Sequence, residues 1–210
     1  MKEMIEQRRK RAKAIKEYGT LRKAVEAGAL EQFQDVSLSE AVVLGLVNQE
    51  VRTFVGIFGH GMTDVGEALR IYEEEDVIKT YNVRNEVEAS HIASMLRWKY
   101  NQVSAVFTSI GPGGMQATAG SLVPLANGLG IYYLMGDETS QSEYAADSKK
   151  RTGIILESIV YTGTGIFTSY SRSNIYSFEA RRCNSEWKRK KIPILYASSN
   201  EYPTEGYDRV

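Results

Sequence analysis

Between positions 36 and 137 the chain alternates short apolar runs with longer amphipathic stretches. The short runs are rich in β-branched and aromatic residues and have strand length. They predict strands at Phe54–Phe58, Ile78–Tyr81, Val103–Phe107 and Ile131–Leu134. The stretches around them carry apolar residues at helical spacing. They predict helices over Glu40–Asn48, capped by Ser37 or Ser39, and over Thr63–Tyr72, then one opening at Asn85 and one over Met115–Ala126. Asn85 is a good N-cap, and Glu88 three residues on completes the pattern of a capping box, so Glu86 falls in the first turn. Strands alternating with helices through short connections predict an α/β fold, a parallel sheet with helices on both faces. Upstream, Lys2–Leu30 reads as one helix ending at Gly28-Ala29.

Three places carry candidate chemistry. Glu86 is followed by Ala89, Ser90 and Ala93, so the face beside it is low and admits another group; equally, it reads as an ordinary first-turn glutamate. Thr108 to Gly114 is a glycine-rich turn after a strand. Glycine permits positive φ and close approach, and the following helix points free N–H groups at the loop, which favours an anion or a polar heterocycle. The plainer reading is a strand-to-helix turn that needs glycine for geometry. His60 lies in the Gly59-His60-Gly61 turn at the C-terminal end of a parallel strand, where α/β ligand sites gather. It reads either as a substrate contact or as a loop histidine held by backbone groups.

The order of strand, Gly-His-Gly, helix, strand, Arg-x-Glu, helix, strand, Thr-Ser-x-Gly-Pro-Gly, helix, strand and Gly-Asp resembles the pyrimidine-binding domain of thiamine-diphosphate-dependent enzymes. The resemblance covers roughly Val36 to Asp137. Within that family, the extra Ile110 and the Gly59-His60-Gly61 turn are most similar to the trihydroxycyclohexane-1,2-dione hydrolases of myo-inositol breakdown, with acetolactate synthase-like enzymes more distant. The resemblance implies thiamine diphosphate with Mg2+ as cofactor. Glu86 would be the carboxyl that hydrogen-bonds the aminopyrimidine ring nitrogen. Ser109, Ile110, Gly111, Pro112, Gly113 and Gln116 would line the cofactor, Gln116 standing near the family's usual Asn, and His60 would meet the small-molecule substrate. No metal ligand is assigned in this stretch. The family holds metal and diphosphate on a Gly-Asp-Gly…Asn motif in a further domain, and Gly136-Asp137-Glu138 stands in the wrong place for it. Cofactor binding is therefore expected only with a partner diphosphate-binding domain, and the expected assembly is a homodimer or a complex with a diphosphate-domain partner chain.

Composition adds bounds. The 210 residues carry 26 basic and 26 acidic side chains, so nothing points to nucleic acid, and no apolar run approaches membrane-spanning length. The single Cys183 cannot form an internal disulfide, which fits a cytoplasmic location. Arg8 to Arg11 is basic. It reads as a nucleic-acid or membrane-surface helix, or as a solvated helix packed on the domain.

Residues 1–31 are expected to be an N-terminal helical extension, 36–143 the pyrimidine-binding domain, and 144–210 an irregular tail of unknown fold. That tail is rich in Ser, Tyr, Asn, Lys and Arg and carries no family resemblance; Ile154–Val160 and Ile192–Tyr196 are its candidate strands. It reads as a short appendage, or as out-of-frame or foreign sequence on a truncated enzyme, and is expected to pack less well from Asp147 on. The function implied is the pyrimidine-binding half of an enzyme that cleaves a C–C bond of a cyclic 1,2-dione by hydrolysis. The alternatives are an acetolactate synthase-like fragment, a non-catalytic interaction or dimerisation module that has kept the fold, and a phosphate-binding protein using the glycine loop alone.

Overall fold

A computed structural model describes residues 2–137, 166–170, 194–199 and 208–209. In chain order the elements are α1 (Lys2–Tyr18), α2 (Leu21–Glu26), β1 (Asp35–Val36), α3 (Leu38–Asn48), β2 (Thr53–Gly56), α4 (Thr63–Glu74), β3 (Lys79–Asn82), α5 (Glu86–Tyr100), β4 (Ser104–Thr108), α6 (Pro112–Gly120), α7 (Leu122–Ala126), β5 (Tyr132–Asp137), β6 (Ile166–Tyr170), β7 (Ile194–Ser199) and β8 (Asp208–Arg209). The main sheet has strand order β3-β2-β4-β5-β7-β6, and its central strands run parallel with flanking helices, an α/β architecture. All four strands expected between 53 and 135 form, each within a few residues of its expected bounds.

Two compact units are distinguished. One comprises 1–53, 64–80 and 203–210; the other comprises 54–63 and 81–202. In the second unit, successive residues of β4 and β5 point to opposite faces of the sheet, and Ala105, Val106, Phe107, Tyr132, Tyr133, Leu134 and Met135 are all buried. Both faces of these strands are thus dry, as a parallel sheet requires. One face carries Val55, Val106, Tyr133 and Met135 against Ala89 and Ala93 of α5 and Ala117 of α6. The small residues let α5 and α6 cross closely. A Cβ on Gly120 would stand 2.6 Å from the Ser90 Cβ and 3.2 Å from the Val87 Cα. Gly56 is needed for the same reason in the sheet, since a Cβ there would meet the Phe107 carbonyl oxygen at 1.9 Å.

In the first unit, Ile15, Val43, Val47, Leu69, Ile71 and Tyr72 are buried. Inside it lies a charged cluster. The Glu40 carboxylate accepts from Arg8 Nε at 3.2 Å, from Arg11 Nε and Nη2 at 2.7 and 2.8 Å, and from the Tyr72 hydroxyl at 3.0 Å. All four side chains are at most 3% exposed. The basic run on α1 is therefore structural. Arg8 and Arg11 face inward, Arg9 bonds Glu74 and Glu75, and Lys16 pairs with Asp76.

Two expectations are corrected. The helix expected over Lys2–Leu30 is two, because Gly19 adopts φ +83° between α1 and α2, and Thr20 caps the second by accepting from Lys23 N. The helix expected from Met115 starts at Pro112, where the fixed φ of proline suits the first helical position. That helix then breaks at Ser121, so α6 and α7 are separate. Within residues 144–210 the described residues are three strands: β7, which overlaps the candidate strand Ile192–Tyr196 and lies beside β5, β6 beyond it, and β8, which pairs with β1 antiparallel. The strand expected at Ile154–Val160 lies outside the described residues.

Candidate functional site

The site forms in the second unit, where the ends of β2 and β4 meet the start of α5. Asn85 caps α5 as its spacing predicts, its side chain accepting from Glu88 N at 2.8 Å. The Glu88 carboxylate reaches back to Arg84 N at 3.0 Å rather than to the N-cap amide, a capping box shifted by one residue. This fixes Glu86 as the first helical residue. Its side chain turns inward, 7% exposed, and its carboxylate has neither hydrogen bond nor ion pair among the described residues. Its oxygens are not among the fully enclosed polar atoms left without a partner, so the carboxylate reaches the gap from a mostly buried side chain and can meet a ligand there.

The glycine turn supplies the facing wall. Gly111 adopts φ +56° and starts α6 without a side-chain cap. Gly113 then passes the carboxylate so closely that a Cβ on it would stand 2.8 Å from Glu86 Oε1 and 2.5 Å from Ser109 Oγ. Ser109 in turn fills the space beside Gly59, whose Cβ would stand 2.6 Å from the Ser109 Cβ. The turn after β2 is tied in by its backbone: Ile110 N donates to the His60 carbonyl at 3.1 Å. Gly136 at the end of β5 leaves room for the same turn, since a Cβ there would lie 2.9 Å from the His60 carbonyl oxygen.

The predicted residues therefore divide. Glu86, Ser109 and Gly113 gather around one small gap, with Gly59 behind them. Ile110 and Gly111 are half-buried in the same turn. Pro112 and Gln116 are exposed on α6, and the His60 side chain is exposed although its backbone is anchored. Gly136 stands in the sequence as part of the Gly-Asp that closes the family's motif order, with no part in the site assigned to it there. Among the described residues no three His, Cys, Asp or Glu side chains gather as a metal site.

A family model described as thiamine pyrophosphate enzyme, N-terminal TPP binding domain, matches residues 36–143. The chain belongs to this family. No curated protein matches the chain. Thiamine diphosphate is the family's cofactor, and the residues here fit its pyrimidine end. The Glu86 carboxylate can meet a ring nitrogen, and Gly113 keeps the wall beside it free of a side chain. Among the described residues, no helix of this domain is long and apolar enough to cross a membrane.

Proposed function

We propose that this chain supplies the pyrimidine-binding half-site of a thiamine-diphosphate enzyme that hydrolyses a C–C bond of a cyclic 1,2-dione. The observation that carries the half-site is the Glu86 carboxylate, buried and unpartnered against Gly113. When bound, the cofactor supplies a nucleophilic carbon on its thiazolium ring. Glu86 holds and exchanges the proton at the pyrimidine nitrogen, a task that needs a carboxyl shielded from water. Ser109, Ile110, Gly111, Pro112 and Gly113 form the wall beside the ring, with Gln116 on the next turn. His60 stands at the rim, where it meets substrate. The extra Ile110 in the glycine turn and the Gly59-His60-Gly61 sequence support the hydrolase reading over an acetolactate synthase-like one. In that reaction water adds across the bond between the two carbonyl carbons, giving an open-chain deoxy-uronic acid.

The diphosphate and its Mg2+ are held by a diphosphate-binding domain supplied by a partner. The partner surface we assign is the outer face of α5. Met95 and Trp98 are exposed on that helix, and Met95 lines an open groove with Val87, His91, Ile92 and Leu96. Apolar side chains exposed together in this way mark an interaction surface. Sedimentation at rising concentration, with and without the diphosphate-binding domain, is expected to show association that Trp98→Glu abolishes. A chain that stays monomeric in both conditions contradicts the assignment.

The substrate is tested by reconstitution with a diphosphate-binding domain, thiamine diphosphate and Mg2+. Hydrolysis of a trihydroxycyclohexane-1,2-dione, followed by acid release, is expected. Acetolactate formation from pyruvate instead would replace the hydrolase reading. Cofactor binding with neither reaction would favour a non-catalytic module.

A further inference from the structure

The outer face of α5 is complementary to itself. Along its groove Glu88, Ile92, Met95 and Lys99 follow one another at the spacing of a helix–helix seam, in the order acidic, apolar, apolar, basic. A second α5 laid antiparallel on this face, with the two-fold axis at the level between Ala93 and Ser94, sets Glu88 of each copy against Lys99 of the other. The same axis sets Ile92 against Met95. The flanking groove positions agree with it: Val87 meets Tyr100, and His91 meets Leu96. The face is open, Met95 being 55% and Tyr100 63% exposed. The Glu88 carboxylate accepts from Arg84 N through Oε2 and has no ion pair among the described residues. Lys99 Nζ lies 5.2 Å from the centre of the Tyr100 ring and likewise has no ion pair there.

We propose that the groove on α5 is an isologous interface whose occupant is a second copy of this chain, α5 antiparallel to α5, with Glu88 paired to Lys99 on both sides of the two-fold axis. This rests on the reading of the outer face of α5 as the partner surface, and it names the partner and the register. A partner of another sequence would have to carry the same order of charges reversed; this chain already carries it. The central apolar pairs supply burial, and the two ion pairs set orientation and register. A parallel pairing would set Glu88 against Glu88 and Lys99 against Lys99, so like charge disfavours it. Glu86 lies off this seam with its side chain turned into the fold. The pair therefore carries two Glu86 gaps, one toward each end of the seam, about 22 Å apart along the helices.

The test is sedimentation equilibrium of the whole chain alone, for wild type, Glu88→Gln, Lys99→Glu and the double variant, each checked for folding by circular dichroism. Glutamine keeps the capping geometry at the start of α5. Within one copy residues 88 and 99 are about 16 Å apart along the helix, beyond the Debye length of about 8 Å at physiological salt, so coupling between the two substitutions arises only between copies. The expected result is a dimer that Lys99→Glu weakens by about tenfold or more, since two attractive pairs become repulsive. Glu88→Gln weakens the wild-type dimer by about threefold yet tightens the Lys99→Glu dimer, because there it removes the repulsion. Met95→Glu, which sets two carboxylates beside the axis, abolishes the dimer and serves should Lys99→Glu not fold. A chain that stays monomeric alone overturns the proposal, as does a dimer that Met95→Glu leaves intact or in which the two charge substitutions act additively. A chain monomeric alone that still assembles with a diphosphate-binding domain keeps the surface reading and refutes the second copy. A charge-coupled dimer that no diphosphate-binding domain joins keeps the pairing and refutes the half-site reading.

Discussion

Replacing Glu40 tests the buried cluster of the first unit most severely. Its carboxylate is the acceptor for two guanidinium groups and a phenol, at 2.7 to 3.2 Å, with no exposure. Arg8 has one further anchor, donating to Ser37 Oγ at 2.9 Å. Burial by itself pushes the Arg11 guanidinium down, but the hydrogen bond and charge of Glu40 outweigh it and leave Arg11 raised. Glu40→Gln keeps the shape and removes the charge. Its amide nitrogen would then face guanidinium donors, leaving buried positive charge uncompensated. Breaking a buried pair from one side costs about 3–5 kcal/mol, a large share of the roughly 5–15 kcal/mol that a domain has. Arg9→Ala is the control, because the Arg9 pairs with Glu74 and Glu75 are partly solvated and should be worth about 1 kcal/mol or less. Urea unfolding followed by circular dichroism separates the two. A Glu40→Gln cost below about 1 kcal/mol would refute the reasoning, since it would mean that the cluster is hydrated or its partners relax apart.

Gly120→Ala should destabilise by about 1–3 kcal/mol in the same assay, because the added methyl falls 2.6 Å from the Ser90 Cβ; Ser90→Gly in the same chain should recover part of the loss. Tyr133→Phe should be neutral or stabilising within about 1 kcal/mol, since the buried Tyr133 hydroxyl, though near Ser90, has no partner of good hydrogen-bond geometry and the Ser90 hydroxyl is directed at the Glu86 and Ala117 carbonyls. Burial raises the phenol of Tyr72, with the Glu40 charge adding to it, and burial likewise raises that of Tyr133. Folding keeps both neutral, so their stabilisation is full below the free-tyrosine value of about 10 and is lost as pH rises beyond it; unfolding midpoints measured from pH 8 to 12 should fall only above about 10.

Much of the site was legible because its signals are local. Asn85 followed by Glu88 places the start of α5, and therefore Glu86, within one turn. The apolar runs place β2 to β5, since a strand dry on both faces must be apolar throughout. What the sequence concealed depends on distant partners. Arg8, Arg11, Ala12 and Ile15 share one buried helical face, and the spacing announces it. Arginine in that pattern nonetheless reads as solvent-facing until Glu40, about thirty positions away, neutralises it. The Pro112 start of α6 had a local signal in proline at the first helical turn, which the glycine-rich reading of the loop obscured. The nest formed by Gly59, Ser109 and Gly113 joins two turns fifty residues apart, and only contact reveals it.

The central claim, that Glu86 is the carboxyl acting on the pyrimidine ring, is tested most directly by Glu86→Gln. Calorimetry with thiamine diphosphate and Mg2+, and turnover, are measured for both chains with a diphosphate-binding domain present. The amide keeps the shape of the buried side chain beside Gly113 but cannot exchange a proton. The account predicts cofactor affinity within about tenfold of wild type and turnover lower by about a hundredfold or more. Full turnover by the glutamine variant would contradict it and leave Glu86 as a first-turn helix residue.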